Sequence, residues 1–299
     1  MTQPQRRWLL WIAALAAVAI SLIPSLHWGW THVATDFPNY HTAAVLARKH
    51  APLRYFYEWT WFQRQMNYAG WGRQLGGYNP QPPLTMVPFL PLTPLSPLHA
   101  KQTWLAMNLV FLAGTIWMLA RLTRLPAAAL LLLAMAGHNT LAGNFELGQW
   151  YVLLLFTLTL GVYLLLTGHD FSAGAVFGII CAMKGYGAPF LLYLAWKRRW
   201  RAFNGMALAA GALAIVGIAW FGWADNLYYL TGVFARGMAG DSNNPYAPQL
   251  PTISSFLRYT LIPEPELNPH PLANLPGLAF FLQQLVTLGA IVFCLIAFP

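Results

Sequence analysis

Stretches of about twenty residues with almost no charge dominate this chain. Each can cross roughly 30 Å of hydrocarbon as an α-helix, because a helix rises ~1.5 Å per residue and satisfies its own backbone. The clearest cover residues 8–26, 104–120, 149–167, 203–224 and 275–298, and weaker ones cover 126–142 (with His138) and 173–193 (with Lys184). Residues 84–97 are apolar but short and contain Pro88, Pro91, Pro94 and Pro97. Proline removes helical hydrogen bonds, so a short span or a re-entrant piece is expected there. The pattern predicts an all-α polytopic membrane protein with about seven or eight transmembrane helices, forming a single transmembrane domain over residues 1–299. Composition agrees, at 58% hydrophobic and 8% charged, against about 25% charged in soluble domains.

The net charge of +9 is scattered over membrane-flanking segments and forms no compact basic stripe. A nucleic-acid partner is therefore not expected, and anionic lipid or phosphate is the better class. The run Lys197, Arg198, Arg199 and Arg201 directly follows a span and marks the cytoplasmic side, with Arg6 and Arg7 in agreement. The first span imitates a signal peptide but lacks a small-residue cleavage site and reads as a retained anchor. If 84–97 is a full crossing, loops 27–83 and 225–274 both lie outside. Arg121 and Arg124 then also fall outside, against the rule, and Glu146 and Gln149 fall at the cytoplasmic end, away from Asp36. Cys181 and Cys294 lie in apolar runs as small hydrophobes.

The loop over residues 27–83 carries the most chemistry. Within it, residues 38–49 read as a helix lying on the membrane surface, with Tyr40, Ala43, Ala44 and Ala47 on one face and Pro38 in its first turn. Aromatic residues crowd positions 55–78, including Tyr78, and such rings settle at a water–lipid interface or line a sugar site. Asp36, in THVATDFPNYH, has two readings: a helix N-cap or a general base within reach of an acceptor hydroxyl. His32, Asp36 and His41 match no strong metal spacing, and no metal or cofactor is expected. Hydrogen bonding to sugar or headgroup is the better role for His41.

Lys184 sits in an apolar run with no acid inside any clear span to pair it. An intramembrane ionisable group is a functional candidate, and phosphate binding stands here beside snorkelling or carbonyl pairing. There is no P-loop, no GxGxxG, no nucleophile elbow and no DxD pair for a nucleotide sugar.

Four segments carry a more specific signal: DFPNYHTAAVLARK, YNPQPPLTMVPFLPL, LGQWYVLLL, and AGAVFGIICAMKGYGAP with its trailing KRRW. In this order over residues 36–201 they resemble glycosyltransferase family 87, of the GT-C superfamily. The resemblance implies a multi-span enzyme in the cell membrane whose first external loop holds a catalytic acid, here Asp36. The implied donor is a polyprenyl-phosphate sugar, mannose-like or arabinofuranose, passed with inversion to a hydroxyl on a lipid or glycan acceptor. By the same resemblance DSNNPYAPQLPTISSFLRYTL, residues 241–261, is the family's polar external segment, and Arg258 is assigned with Lys184 to the donor phosphate. An arginine at a lipid headgroup is the alternative. Tyr40, His41, Tyr78 and Gln149 are the candidates for contacting substrate. Relatives carry further spans beyond the point where this chain stops, so a truncated protein or a short member is expected. The rival classes are a transporter or lipid flippase, which would show coupled ionisable residues in its spans, and a non-catalytic assembly subunit.

Overall fold

The computed structural model describes residues 3–33, 36–71, 74–239 and 252–297, and the chain divides into two compact units, Met1–Tyr229 and Leu230–Pro299. The first unit begins with α1 (Gln3–Ser21), α2 (Ile23–Thr31), α3 (Asp36–Arg48) and α4 (Trp59–Met66). A 3-10 helix, Pro83–Leu92, then leads into α5 (Pro97–Thr123), α6 (Ala127–Ala136), α7 (His138–Leu147) and α8 (Tyr151–Leu166). The unit closes with α9 (Asp170–Lys184), α10 (Ala188–Trp196), α11 (Trp200–Phe221) and α12 (Trp223–Tyr228). In the second unit are α13 (Ala235–Ala239), α14 (Ile253–Leu261) and α15 (Pro276–Ala297). No strand occurs among the described residues.

Among the described residues, four stretches are long and apolar enough to cross a membrane: Pro4–Thr31, Pro97–Thr123, Trp200–Phe221 and Pro276–Phe293. Helices α7 and α8, bent by 119° at their junction, make a fifth if they count as one broken span. The larger number expected from the sequence counts apolar runs that the backbone interrupts. The run 126–142 breaks at Gly137 into α6 and α7. The run 173–193 breaks where Gly185, at φ 76°, caps α9.

The proline-rich return segment is not a full crossing. Its 10 residues, at about 2.0 Å per residue, give only about 20 Å. Pro83, Leu84, Thr85, Met86, Phe89 and Leu92 are buried, and the segment packs on α3, α5 and α9. Backbone broken by Pro88 and Pro91 is tolerated because protein rather than lipid surrounds it.

This packing also corrects the expected surface helix. Residues Phe37, Pro38, Tyr40 to Ala44, Leu46 and Ala47 are all buried, so α3 is covered on nearly every side. Its alanines are small enough for the return segment to close over them, and Phe89 stacks on Tyr40 with ring centroids 5.0 Å apart.

Between α9 and α11 the backbones touch: a Cβ added at Gly174 would lie 1.8 Å from the Ala202 carbonyl oxygen. Small residues of this kind are how apolar helices gain dispersion contacts without a hydrophobic drive in lipid.

The helix ends sort the charges. Lys101 at the start of α5 and Lys184 at the end of α9 lie toward Asp36, as detailed below. At the opposite end Trp117 of α5 meets Tyr163 of α8, with centroids 5.8 Å apart. There Arg199 donates to the Leu165 carbonyl at 3.2 Å and to Asp170 at 3.1 Å. Arg121, Arg124 and the Lys197–Arg201 run therefore share the end far from Asp36, Arg121 lying about 30 Å along α5 from Lys101. The anomaly that placed Arg121 and Arg124 outside came from treating residues 84–97 as a crossing.

Candidate active site

Asp36 is the first residue of α3, where a carboxylate is favoured by the helix dipole. Its side chain is half-buried, and Oδ2 accepts a hydrogen bond from Gln149 Nε2 at 2.7 Å. Charge counting had placed Gln149 at the other membrane face. The structure overturns that placement, because the chain turns sharply between α7 and α8 and delivers Gln149 back to Asp36.

The turn is specified locally. Gly148 adopts φ 67°, a left-handed conformation that costs an L side chain about 1–2 kcal/mol. A Cβ there would meet the Phe37 Cβ at 2.8 Å. The break exposes N–H groups at the start of α8, and Asn144 Oδ1 accepts from Tyr151 and Val152 at 3.1 and 3.2 Å. Trp104 Nε1 donates to the Gly148 and Gln149 carbonyls at 3.1 and 3.2 Å. Gly148→Ala is expected to cost about 1–3 kcal/mol of stability by overpacking and to weaken transfer as Gln149 shifts. A thermal-unfolding scan alongside a turnover assay measures both.

Lys184 lies at the C-terminal end of α9 rather than at the middle of a span. Its ammonium sits 5.4 Å from the Tyr40 ring centroid and 5.5 Å from that of Tyr151, and it donates to Gln81 Oε1. Cation–ring contacts of this type favour a desolvated ammonium, and Asp36 is within electrostatic reach of both Lys184 and Tyr40. Tyr151 and Tyr186 are both well exposed. The cluster therefore combines an acceptor-only carboxylate, a cation and an open aromatic rim.

The return segment fixes these parts to each other. Thr85 Oγ1 donates to the Met183 carbonyl at 2.5 Å, and Trp150 Nε1 donates to the Thr85 carbonyl at 3.1 Å. Thr85 thus ties the residue before Lys184 to the residue after Gln149. Lys101 does the same for Asp36: its fully buried ammonium donates to the His32 and Glu146 carbonyls, both at 2.7 Å. Those carbonyls lie just upstream of Asp36 and of Gln149.

Gln81, Tyr151, Tyr186 and Lys101 were not singled out from sequence. Gln81 and Tyr151 stand inside the quoted motifs, where proline and tryptophan draw the eye. Lys101 had the signal of a lone charge at the head of an apolar run.

Two expected substrate residues have structural roles. Tyr78 is fully buried; its hydroxyl donates to the Pro82 and Pro83 carbonyls and accepts from the Met86 N–H, leaving it no face for a ligand. His41 is buried against Phe37 and Trp71, and its Nε2 bonds the Leu92 carbonyl at 3.3 Å. Burial pushes His41 below its ordinary value of 6.5. On acidification the unfolded chain therefore takes up the proton first, so this stabilisation is full above about pH 6.5 and falls as pH drops toward the folded value. Unfolding midpoints are expected to decline below about pH 6.5, with a shallower decline in His41→Gln.

Among the described residues no group of three or more His, Cys, Asp or Glu could hold a metal ion. Arg258 is half-buried in the last turn of α14, in the second unit. Its expected phosphate role is not carried into the cluster built from the first unit. Most of the polar segment before it, residues 240–251, lies outside the described residues.

The model of glycosyltransferase family 87 matches residues 81–299. The match takes in Gln81, Gln149 and Lys184 and begins after Asp36. None of the curated proteins and none of the solved structures compared with the chain matches it.

Proposed function

Since the chain belongs to glycosyltransferase family 87 and is thus a membrane glycosyltransferase, we propose that it moves a sugar from a polyprenyl phosphate to a hydroxyl acceptor at the Asp36 cluster. The observation that carries this reading is the Gln149–Asp36 hydrogen bond of 2.7 Å beside the Lys184 ammonium. A carboxylate and a cation in one environment support the reading of a base beside a phosphate-binding group.

In the step proposed, Asp36 takes the proton of the acceptor hydroxyl as its oxygen attacks the anomeric carbon. The bond from that carbon to the phosphate oxygen breaks on the opposite side, so configuration inverts, and polyprenyl phosphate leaves with the electron pair. Gln149 orients the carboxylate, and Lys184 offsets charge on the departing phosphate. Mannose-like and arabinofuranosyl donors are the candidates, with a lipid or glycan as acceptor.

The far-end cluster of Arg121, Arg124 and Lys197–Arg201 supports an orientation with Asp36 at the external face of the cell membrane. Long loops translocate largely regardless of charge, which accommodates Arg48, Lys49 and Arg54 on the Asp36 side.

Incubation of the purified protein with synthetic polyprenyl-phosphate mannose and arabinofuranose, read by mass spectrometry, tests the reading. Release of polyprenyl phosphate with an acceptor heavier by one sugar is expected. Movement of the lipid across liposomes without sugar transfer would favour a flippase instead. Lys184→Met is expected to raise the donor KM by about 10-fold to 100-fold, the loss of one charge-assisted hydrogen bond, with a smaller effect on the acceptor KM.

A further inference from the structure

Away from the Asp36 cluster, a cavity of about 480 Å³ opens beyond the C-terminal end of α3, against the junction of α11 and α12. Its walls are rich in aromatic rings, with Tyr55, Trp220 and Trp223 around the polar groups of His50, Arg54 and Asp225. Asp225 is buried, and Arg54 pairs with it at 2.6 Å through Nη2 and 2.8 Å through Nε. The Arg54 backbone N–H adds a third contact to the same carboxylate, at 3.4 Å. Trp220 is anchored by its Nε1 donating to the Ala47 carbonyl at 3.2 Å. Trp223 is 64% exposed and its ring is free to take a partner face.

These features select a chemistry. The Arg54 charge is offset by Asp225, so the cavity has no surplus cation to attract a phosphate, in contrast to the Lys184 site. What it offers is a set of donors beside acceptors, flanked by flat amphipathic rings. A ligand that matches is uncharged, carries hydroxyls that both donate and accept, and has an apolar C–H face. A sugar ring has all three properties.

We propose that this cavity seats an uncharged sugar residue of the acceptor glycan, remote from the reacting hydroxyl. The proposal rests on the glycosyl-transfer reading and deepens it. Asp36 opens α3 and His50 lies just past its end, a separation of about 20 Å along the helix. The acceptor is therefore a chain of several sugars, reacting at one end and held at another.

Isothermal titration of the full-length protein with neutral trisaccharides cut from mannan and from arabinan tests this. Phosphocholine and inorganic phosphate serve as the lipid-headgroup and free-phosphate arms. Saturable binding of a trisaccharide is expected, weakened about tenfold in Trp223→Ala and restored to within threefold in Trp223→Phe, in keeping with the worth of an aromatic stacking face. Because Trp223 is exposed, both variants should fold, and Asp36→Asn should bind as wild type does. Absence of trisaccharide binding, equal binding by Trp223→Ala, or saturation by phosphocholine or phosphate instead would overturn the proposal. Transfer that persists without this binding removes the cavity alone. Binding that persists in a protein with no transfer removes the glycosyl-transfer reading and leaves a carbohydrate site.

Discussion

Asp36→Asn is expected to lower kcat for sugar transfer by about 10²-fold to 10⁴-fold, the range for loss of a positioned general base, with little change in donor KM. The amide has the same shape as the carboxylate and can still hydrogen-bond Gln149 through its carbonyl, so packing around the start of α3 should survive. What it loses is the capacity to take the acceptor proton. A pre-steady-state or initial-rate assay with a synthetic polyprenyl-phosphate sugar reads the effect, and an unfolding scan confirms a folded variant. Unchanged turnover in a folded Asp36→Asn protein would assign the base elsewhere and leave Asp36 as the cap of α3.

The second large effect is expected at Lys101, which touches no reacting atom in the scheme above. Lys101→Met keeps the length and apolar stem of the side chain but removes the ammonium that the His32 and Glu146 carbonyls share. A hydrogen bond from a charged donor is worth about 1.5–3 kcal/mol, and a loss of stability of that order is expected. The same change frees the two segments that bring Asp36 and Gln149 together, so kcat should fall while donor KM, which the proposal assigns to Lys184, moves less. Lys101→Arg retains donors in a bulkier group and should recover part of both. A fall in stability with an unaltered kcat would make Lys101 a packing residue and no more. Calorimetry or a thermal scan paired with steady-state kinetics separates these outcomes.

Much of this site was legible in the chain. Asp36 stands at a helix start, Gln149 opens an apolar helix and Lys184 is a lone cation in an apolar run, and each was readable from residue type and position. Their convergence was not. It depends on the 119° bend between α7 and α8 and on a return segment too short to cross, and hydropathy sees both as continuous apolar sequence. Gly148 and Gly185 held the information, since each ends a helix in a left-handed conformation, but a lone glycine in an apolar run signals a break only weakly. The aromatic crowding of residues 55–78 was also ambiguous. It reads as an interfacial belt, yet Phe56, Phe62 and Tyr78 form part of a buried core. Hydropathy located the long apolar helices α5, α8, α11 and α15 well. Burial of α3 escaped it because Ala43, Ala44 and Ala47 look like a modest amphipathic face until the return segment closes over them.

The central claim is that Asp36, oriented by Gln149, faces the reacting sugar of a bound donor whose phosphate Lys184 holds. Photolabelling tests it most directly: a polyprenyl-phosphate analogue with a diazirine beside the phosphate is activated in the membrane-embedded protein, and the labelled peptides are mapped by mass spectrometry. Labels are expected in the segments around Asp36, Gln149 and Lys184, competed away by authentic polyprenyl-phosphate sugar. Competable labelling confined to the opposite end of the bundle, around Arg121, Arg124 and Arg199, would contradict it.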